Sequence, residues 1–258
     1  MSLYDAHNHL QAPELTGDLK SVEVAVRELG IEAMVVNGTE EGDWSEVASL
    51  AERHEWVRAS YGLHPWNVNA RSKDWRERLK ARWDAGGWVG EIGLDRWKET
   101  ENFADQMEVF RWQLGEAARR NAPVTIHCLR AWGALTEVIR EDRLPERGFL
   151  VHAFGGSVEI GRELAGRGAY FSFSGSFLAE ERRAKADVYR DLPRERLLVE
   201  TDAPAMPVPA ERCRWGRTGE LNHPGNLIVA YEGLAEVLGM PLGELAGRIE
   251  ENFARFFG

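Results

Sequence analysis

The chain has 258 residues, 43% of them hydrophobic and 29% charged, a balance that fits an ordinary soluble globular fold and excludes a disordered one. A formal charge of −10 argues against sequence-independent binding to long nucleic acid through a broad basic surface, so any phosphate would have to be met locally. Two cysteines, Cys128 and Cys213, cannot found a disulfide framework; the start MSLYDAHNHL lacks the basic and apolar regions of a secretory signal, and no stretch nears the ~18 apolar residues of a membrane span, so a cytoplasmic protein with no membrane partner is expected.

Along the chain, short apolar runs alternate with amphipathic ones. The first strand candidate is LYDAHNH (3–9), followed by a helical pattern over 18–29; EAMVVNG (32–38) precedes a helix over 43–53, and VRASYGLH (57–64) one over 73–85. WVGEIGLD (88–95) leads into 101–121, where Phe103, Met107, Phe110, Leu114, Ala117 and Ala118 recur at helical spacing and Asn121 and Pro123 end the run. PVTIHC (123–128), GFLVHAF (148–154) and AYFSFSG (169–175) precede helices over 132–142, 157–167 and 179–190. LLVETDAP (197–204) closes the series before helices near 225–238 and 241–257. Eight strand and helix units with no Pro-, Gly- or Ser-rich linker predict an α/β fold, a (β/α)8 TIM barrel over residues 1–258 as one domain. The alternative, an open doubly wound sheet, wants a glycine-rich loop after its first strand, and HNHLQAPELTG has none.

Most strands end on polar residues. Asp5, His7 and His9 stand at alternate positions and should share one strand face, while His64, Glu91, His127, His152 and Asp202 lie at or near the ends of other strands. In a barrel these ends converge on one face, where active residues gather. Imidazoles and carboxylates pointing inward are costly to bury unpaired, and a divalent cation pairs them. His7, His9, Glu91, His127, His152 and Asp202 are too many for one tetrahedral ion, so two ions sharing a carboxylate fit better; zinc, manganese, nickel, cobalt or magnesium all suit the ligand types. His54, in a charged helical stretch, reads as a solvated residue. Met34, Met107 and the tail NFARFF read as core.

In order, DAHNH, GLHPW, GEIGLD, PVTIHC, VHAFGGS and ETDAP, spanning residues 5–204, resemble the motifs of the TatD-like metal-dependent hydrolases of the amidohydrolase superfamily. The resemblance implies a first ion on His7, His9 and Asp202, a bridging Glu91 and a second ion on His127 and His152, in a family of mostly nucleases with some deacylases. Two departures fall where substrate would bind. Leu221 and His223 replace the Arg and Glu of the family's R-N-E-P loop, and the arginine of H-[CS]-R-D-A is shifted to Arg130.

A hydroxide held between two divalent ions would attack phosphorus or a carbonyl, with Asp202 as general base and proton shuttle, although an Asp in TDAP also suits a turn cap. Asp5 reads either as the carboxylate that orients a ligating imidazole or as a loop hydrogen-bonding group, and Asp95 likewise. His64 would sit on the rim and contact phosphate or assist the leaving group, or simply serve the turn before Pro65. Arg130, Arg214 and Arg217 are candidates for bidentate phosphate contact, and His223 is a further substrate-contact candidate. Trp66, Trp97, Trp132 and Trp215 stand beside the same segments and could stack on bases or anchor loops. The function expected is a phosphodiesterase acting on DNA ends or small single-stranded nucleic acid, as a monomer or small homo-oligomer. The rivals are a metal-dependent ester, amide or lactone hydrolase and a non-catalytic barrel binding protein.

Overall fold

All eight expected strands form, and each pairs in parallel with its neighbour in the chain. The computed structural model describes residues 1–97, 102–216 and 220–258. In chain order the elements are β1 (Leu3–Asn8), α1 (Pro13–Thr16), α2 (Leu19–Leu29), β2 (Ile31–Gly38), α3 (Trp44–Arg53), β3 (Val57–Tyr61), α4 (Trp75–Asp84), β4 (Trp88–Asp95), α5 (Phe103–Arg120) and β5 (Val124–Leu129). They continue with α6 (Trp132–Glu141), β6 (Phe149–Val151), α7 (Val158–Gly166), β7 (Ala169–Ser174), α8 (Arg183–Val188), β8 (Leu197–Glu200), α9 (Leu227–Leu238) and α10 (Leu242–Phe257). Helices between parallel strands cover the sheet from outside, and the sheet curls into a nearly closed (β/α)8 barrel. Asn121, in the left-handed conformation, ends α5 as its sequence position suggests. The expected start of that helix, residue 101, lies outside the described residues.

Three strands stop short of their apolar runs. β3 ends at Tyr61, β6 at Val151 and β8 at Glu200, so His64, His152 and Asp202 stand on loops just beyond. Past those points the chain still makes scattered backbone bonds, such as His64 N to Thr39 O at 2.9 Å and His152 N to Ile126 O at 3.1 Å. The run 179–190 breaks into 3-10 turns around the six-residue α8, because little beyond Ala186 and Tyr189 on this stretch is fully buried.

The floor of the barrel is apolar. Ala6, Ala33, Val35, Leu150, Tyr170 and Leu198 cluster with Phe253, Phe256 and Phe257 of α10, and since β2 and β6 are not neighbours in the sheet this cluster must fill the lumen. The tail thus plugs one end of the barrel. Ala6 facing the lumen has a consequence for β1, because strict alternation would turn His7 outward. The register of β1 against β2 shifts between Asp5 and Asn8, and this irregularity lets Ala6 and His7 both face inward. The expectation that Asp5, His7 and His9 share one face is corrected accordingly.

Asp5 instead closes the barrel. Its buried carboxylate accepts from Thr201 N (3.0 Å) and Thr201 Oγ1 (2.5 Å) across the seam to β8, from His7 N (3.2 Å) and from Asn8 Nδ2 (3.2 Å). It touches no imidazole ring, which settles the choice left open by the sequence in favour of the backbone role. Burial, against these hydrogen bonds, brings its carboxyl up to about 7. Beyond Thr201 the seam continues with Asp202 N to His7 O at 3.0 Å and His9 N to Ala203 O at 2.8 Å. Asp5→Ala would strand several buried donors, and a loss of about 2–4 kcal/mol in stability is expected. Urea unfolding would read it as a lower midpoint at unchanged slope, with Asp5→Asn intermediate.

Candidate metal centre

Glu91 is the hub. It lies in the middle of β4 and is 2% exposed. Two glycines let its strand come close to its neighbours: a Cβ on Gly62 would lie 2.4 Å from Glu91 O, and one on Gly93 would lie 2.0 Å from His127 O.

Each oxygen of Glu91 faces a separate group of donors. Oε2 lies 3.5 Å from His7 Nε2 and 3.3 Å from His9 Nε2. Asp202 Oδ1 completes that group at 3.5 Å and 3.4 Å from the same two nitrogens, which are 3.3 Å apart. Metal–ligand bonds of 2.0–2.1 Å in a tetrahedron imply ligand–ligand edges of about 3.4 Å. The five distances match those edges, so these residues fit a divalent cation. Oε1 lies 3.0 Å from His127 Nδ1 and 2.9 Å from His152 Nε2, which are 3.2 Å apart, forming a three-donor set with room for a further ligand. The two groups adjoin, with the rings of His7 and His152 stacked at 4.0 Å.

The orientation of the rings is set by their far nitrogens. His9 Nδ1 donates to Asn37 O at 2.9 Å, leaving the Nε2 lone pair inward. His127 Nε2 donates to Asp95 Oδ2 at 3.0 Å, so Nδ1 faces the centre. His152 Nδ1 donates to buried Glu200 Oε1 at 3.4 Å, and Ser172 Oγ donates to the other Glu200 oxygen. Asp95 therefore takes the imidazole-orienting role and Asp5 does not. Glu200, the last residue of β8, was not expected at the site, because the run 197–204 carries the strand past it and offers Asp202 as its polar end. Its place two residues before Asp202 in ETDAP is the signal that could have found it.

His64 is deeper than a rim residue, at 5% exposure. Its Nδ1 accepts from Trp66 N at 3.1 Å and caps the 3-10 turn Pro65–Ala70, so the neutral ring carries its proton on Nε2, 3.4 Å from Glu91 Oε1. A protonated Nε2 cannot ligate a metal. Asp202 reaches its position with φ +53°, a left-handed backbone that Asp tolerates better than most residues.

Burial would raise the Glu91 carboxyl, yet the imidazoles of His64, His152 and His7 hold it well below its ordinary range, and Asp202 is likewise held down by His9 and its neighbours. Burial likewise opposes protonation of His9 and His152. It is outweighed for His9 by Asp202 and Glu91 and for His152 by Glu91 and Glu200, and both rings are raised well above normal. A proton and a cation compete for the same lone pairs, so a site that attracts one attracts the other. Burial lowers His64 to about 4, so it is neutral at pH 7.

The substrate candidates divide. Arg130, directly after β5, is exposed with φ +56° and pairs with no carboxylate among the described residues. Arg214 forms a bidentate pair with Glu232, at 2.9 Å and 2.7 Å. Arg217 lies outside the described residues. His223 is 5% exposed; Nδ1 accepts from Gly225 N at 2.9 Å as the cap of a 3-10 turn, and its ring stacks on Trp215. Trp132 packs edge-on against Phe154, whereas Trp66 and Trp97 are exposed beside the centre. His54 is not solvated: its side chain is 13% exposed against Trp56, at the end of α3.

Comparison with known proteins supplies the setting. The family model described as TatD related DNase matches residues 4–258. The uncharacterized metal-dependent hydrolase YabD of Bacillus subtilis is 29% identical over 258 residues, covering 99% of this chain and 98% of that protein. The 3'-5' ssDNA/RNA exonuclease TatD of Enterobacter lignolyticus is 27% identical, covering 99% of each chain. Among solved structures, the TatD homologue YjjV of Escherichia coli superposes with a TM-score of 0.90 at 28% identity, over 99% of this chain and 97% of its own.

Proposed function

The chain belongs to the TatD-related DNase family and is a metal-dependent hydrolase; on that premise we propose a two-metal phosphodiesterase that acts on DNA ends or small single-stranded nucleic acid, built as one domain over residues 1–258. The observation that carries two ions is the division of donors around Glu91, whose oxygens face different groups at 2.9–3.5 Å. In this reading His7, His9 and Asp202 would hold the first ion and His127 and His152 the second, with Glu91 contributing a carboxylate oxygen to each group. Relatives named as nucleases support phosphate esters as the substrate class.

Bound divalent ions supply Lewis-acid charge for phosphoryl oxygens and lower the pKa of water toward ~7. Asp202 Oδ2, which forms no hydrogen bond among the described residues, receives the proton of the attacking water. His64, neutral and with Nε2–H aimed into the centre, donates a hydrogen bond to a phosphoryl or leaving oxygen. Arg130 meets phosphate at the mouth. Lys185, also without an ion pair among the described residues, adds positive charge there: its Nζ lies 3.3 Å from where a Cβ on Gly155 would stand, three residues past His152.

The reading is tested by chelating the purified protein, restoring manganese or zinc, and measuring metal content together with hydrolysis of single-stranded oligonucleotides and simple carboxylic esters. Two ions per chain and oligonucleotide cleavage that EDTA abolishes are expected. Ester turnover alone would replace the nuclease reading with that of a deacylase-like hydrolase, and failure to take up metal would favour a binding protein.

Asp95→Asn keeps the shape but loses the anion that draws the His127 Nε2 proton. The cation site that uses His127 and His152 is expected to lose about 10–100-fold in affinity, read by metal titration, with the site that uses His7, His9 and Asp202 changed far less.

A further inference from the structure

Gln113 is fully buried, on the face of α5 that also carries Phe110, Leu114 and Ala117. An amide in such a place is costly unless its polar atoms are paired. Both are: Oε1 accepts from Leu63 N at 2.8 Å, and Nε2 donates to Leu63 O at 3.1 Å. Gln106, about two turns earlier on the same helix face, also meets backbone at the mouth, its Oε1 accepting from Asp95 N at 3.0 Å.

Leu63 directly precedes His64, and its surroundings explain why a side chain is needed there. β3 pairs with β4 only at Ser60–Trp88 and Tyr61–Val89, so the ladder to β4 ends at Tyr61. Buried peptide groups beyond it still require partners. Three helices supply them in succession: Trp83 Nε1 of α4 donates to Tyr61 O at 2.9 Å, Trp44 Nε1 of α3 donates to Gly62 O at 3.0 Å, and Gln113 of α5 takes both polar atoms of Leu63. The peptide that joins Leu63 to His64 is thereby held on two sides, its carbonyl by Gln113 and its amide by Thr39 O at 2.9 Å. The His64 ring is fixed in turn by Trp66 N, which leaves Nε2 at 3.4 Å from Glu91 Oε1 and the ring centroid 4.5 Å from that of His127. α5 also grips the far end of this loop, where Arg71 donates to both oxygens of Asp105 at 2.6 Å and 2.7 Å.

We infer that Gln113 is a positioning residue for the reaction: through the Leu63–His64 peptide it sets the direction of His64 Nε2–H, and with it the hydrogen bond that His64 gives to substrate. This rests on the role proposed for His64 and extends it to a side chain that is itself buried away from substrate. Two bonds to one residue restrain a peptide against rotation as well as translation. Precision of this kind matters, because a donor misplaced by about 1 Å can cost about 10²-fold in rate.

Gln113→Met keeps length and bulk and removes both bonds. In the manganese-loaded protein it should lower kcat on a single-stranded oligonucleotide about tenfold, with KM within about twofold and metal content unchanged. A double-mutant cycle separates positioning from general support of the fold: on a His64→Ala background the same change should cost less than about twofold, because the group it positions is gone. A second readout needs no turnover. In the chelated protein at pH 7, the long-range proton–nitrogen NMR spectrum should show His64 as the single Nε2–H tautomer, and Gln113→Met should give shifts averaged between the two tautomers. Should Gln113→Met fail to fold, Gln113→Glu, which keeps an acceptor for Leu63 N, takes its place in both measurements with a smaller loss expected. Equal losses in the two backgrounds, or an unchanged ring spectrum, overturn the positioning role and leave that of His64 standing. A His64→Ala protein as active as wild type overturns both. A wild-type protein that cuts no oligonucleotide overturns the nuclease reading, while the ring spectrum still decides for or against Gln113.

Discussion

Glu91→Gln is expected to lower kcat/KM by about a thousandfold or more and to reduce bound metal from two equivalents to one or fewer. Glutamine has almost the same shape, so the buried position on β4 should survive. What changes is charge and polarity. The amide offers one neutral oxygen, and its NH2 group turns two donors toward whichever set of lone pairs it faces. With Oε1 and Oε2 belonging to different groups, no orientation of the amide serves both. Loss of a single preorganised charge contact commonly costs 10²–10³ in rate, and here a cation site fails with it. Metal analysis after gel filtration, alongside steady-state kinetics, checks the prediction. Two retained ions and activity within tenfold of wild type would remove the bridging role.

Asp202→Asn should act differently. His7, His9 and Glu91 still offer three donors at 3.3–3.5 Å from one another, so most of the metal should remain. The proposed proton acceptor, however, is gone. A fall in kcat of about 10²–10⁴ with little change in KM is expected, the size associated with general-base removal. A large rise in KM with kcat preserved would reassign Asp202 to substrate binding. The two variants together separate metal retention from proton transfer.

Much of the fold was legible because apolar periodicity is a local property. Eight strand runs and the helical spacing of α5 needed no tertiary information, and the helix-ending Asn121 took its left-handed conformation as its position suggested. Ends of strands were less legible. β3, β6 and β8 stop where the chain turns toward the mouth, although the apolar composition continues. Among mouth residues, sequence could not distinguish an arginine with a partner from one without. Arg214 meets Glu232 eighteen residues later, whereas Arg130 meets no carboxylate among the described residues, and both read alike along the chain. His64 was expected on the rim because nothing local reveals that the Trp66 amide occupies its Nδ1 and turns Nε2 toward Glu91.

By itself the sequence determined the order of elements, the barrel class and the supply of imidazoles and carboxylates near strand ends, since each follows from residue type and spacing. Only the tertiary structure decided what those groups do to one another. The shifted register in β1 turns both Ala6 and His7 into the lumen, Asp5 spends its charge on the seam to Thr201, and Asp95 joins His127 to two tryptophans. The physical reason is that hydrogen bonds and charge pairing act over a few ångströms of space, and barrel closure brings within that range residues far apart in the chain, as with Asp5 and Thr201, 196 positions apart.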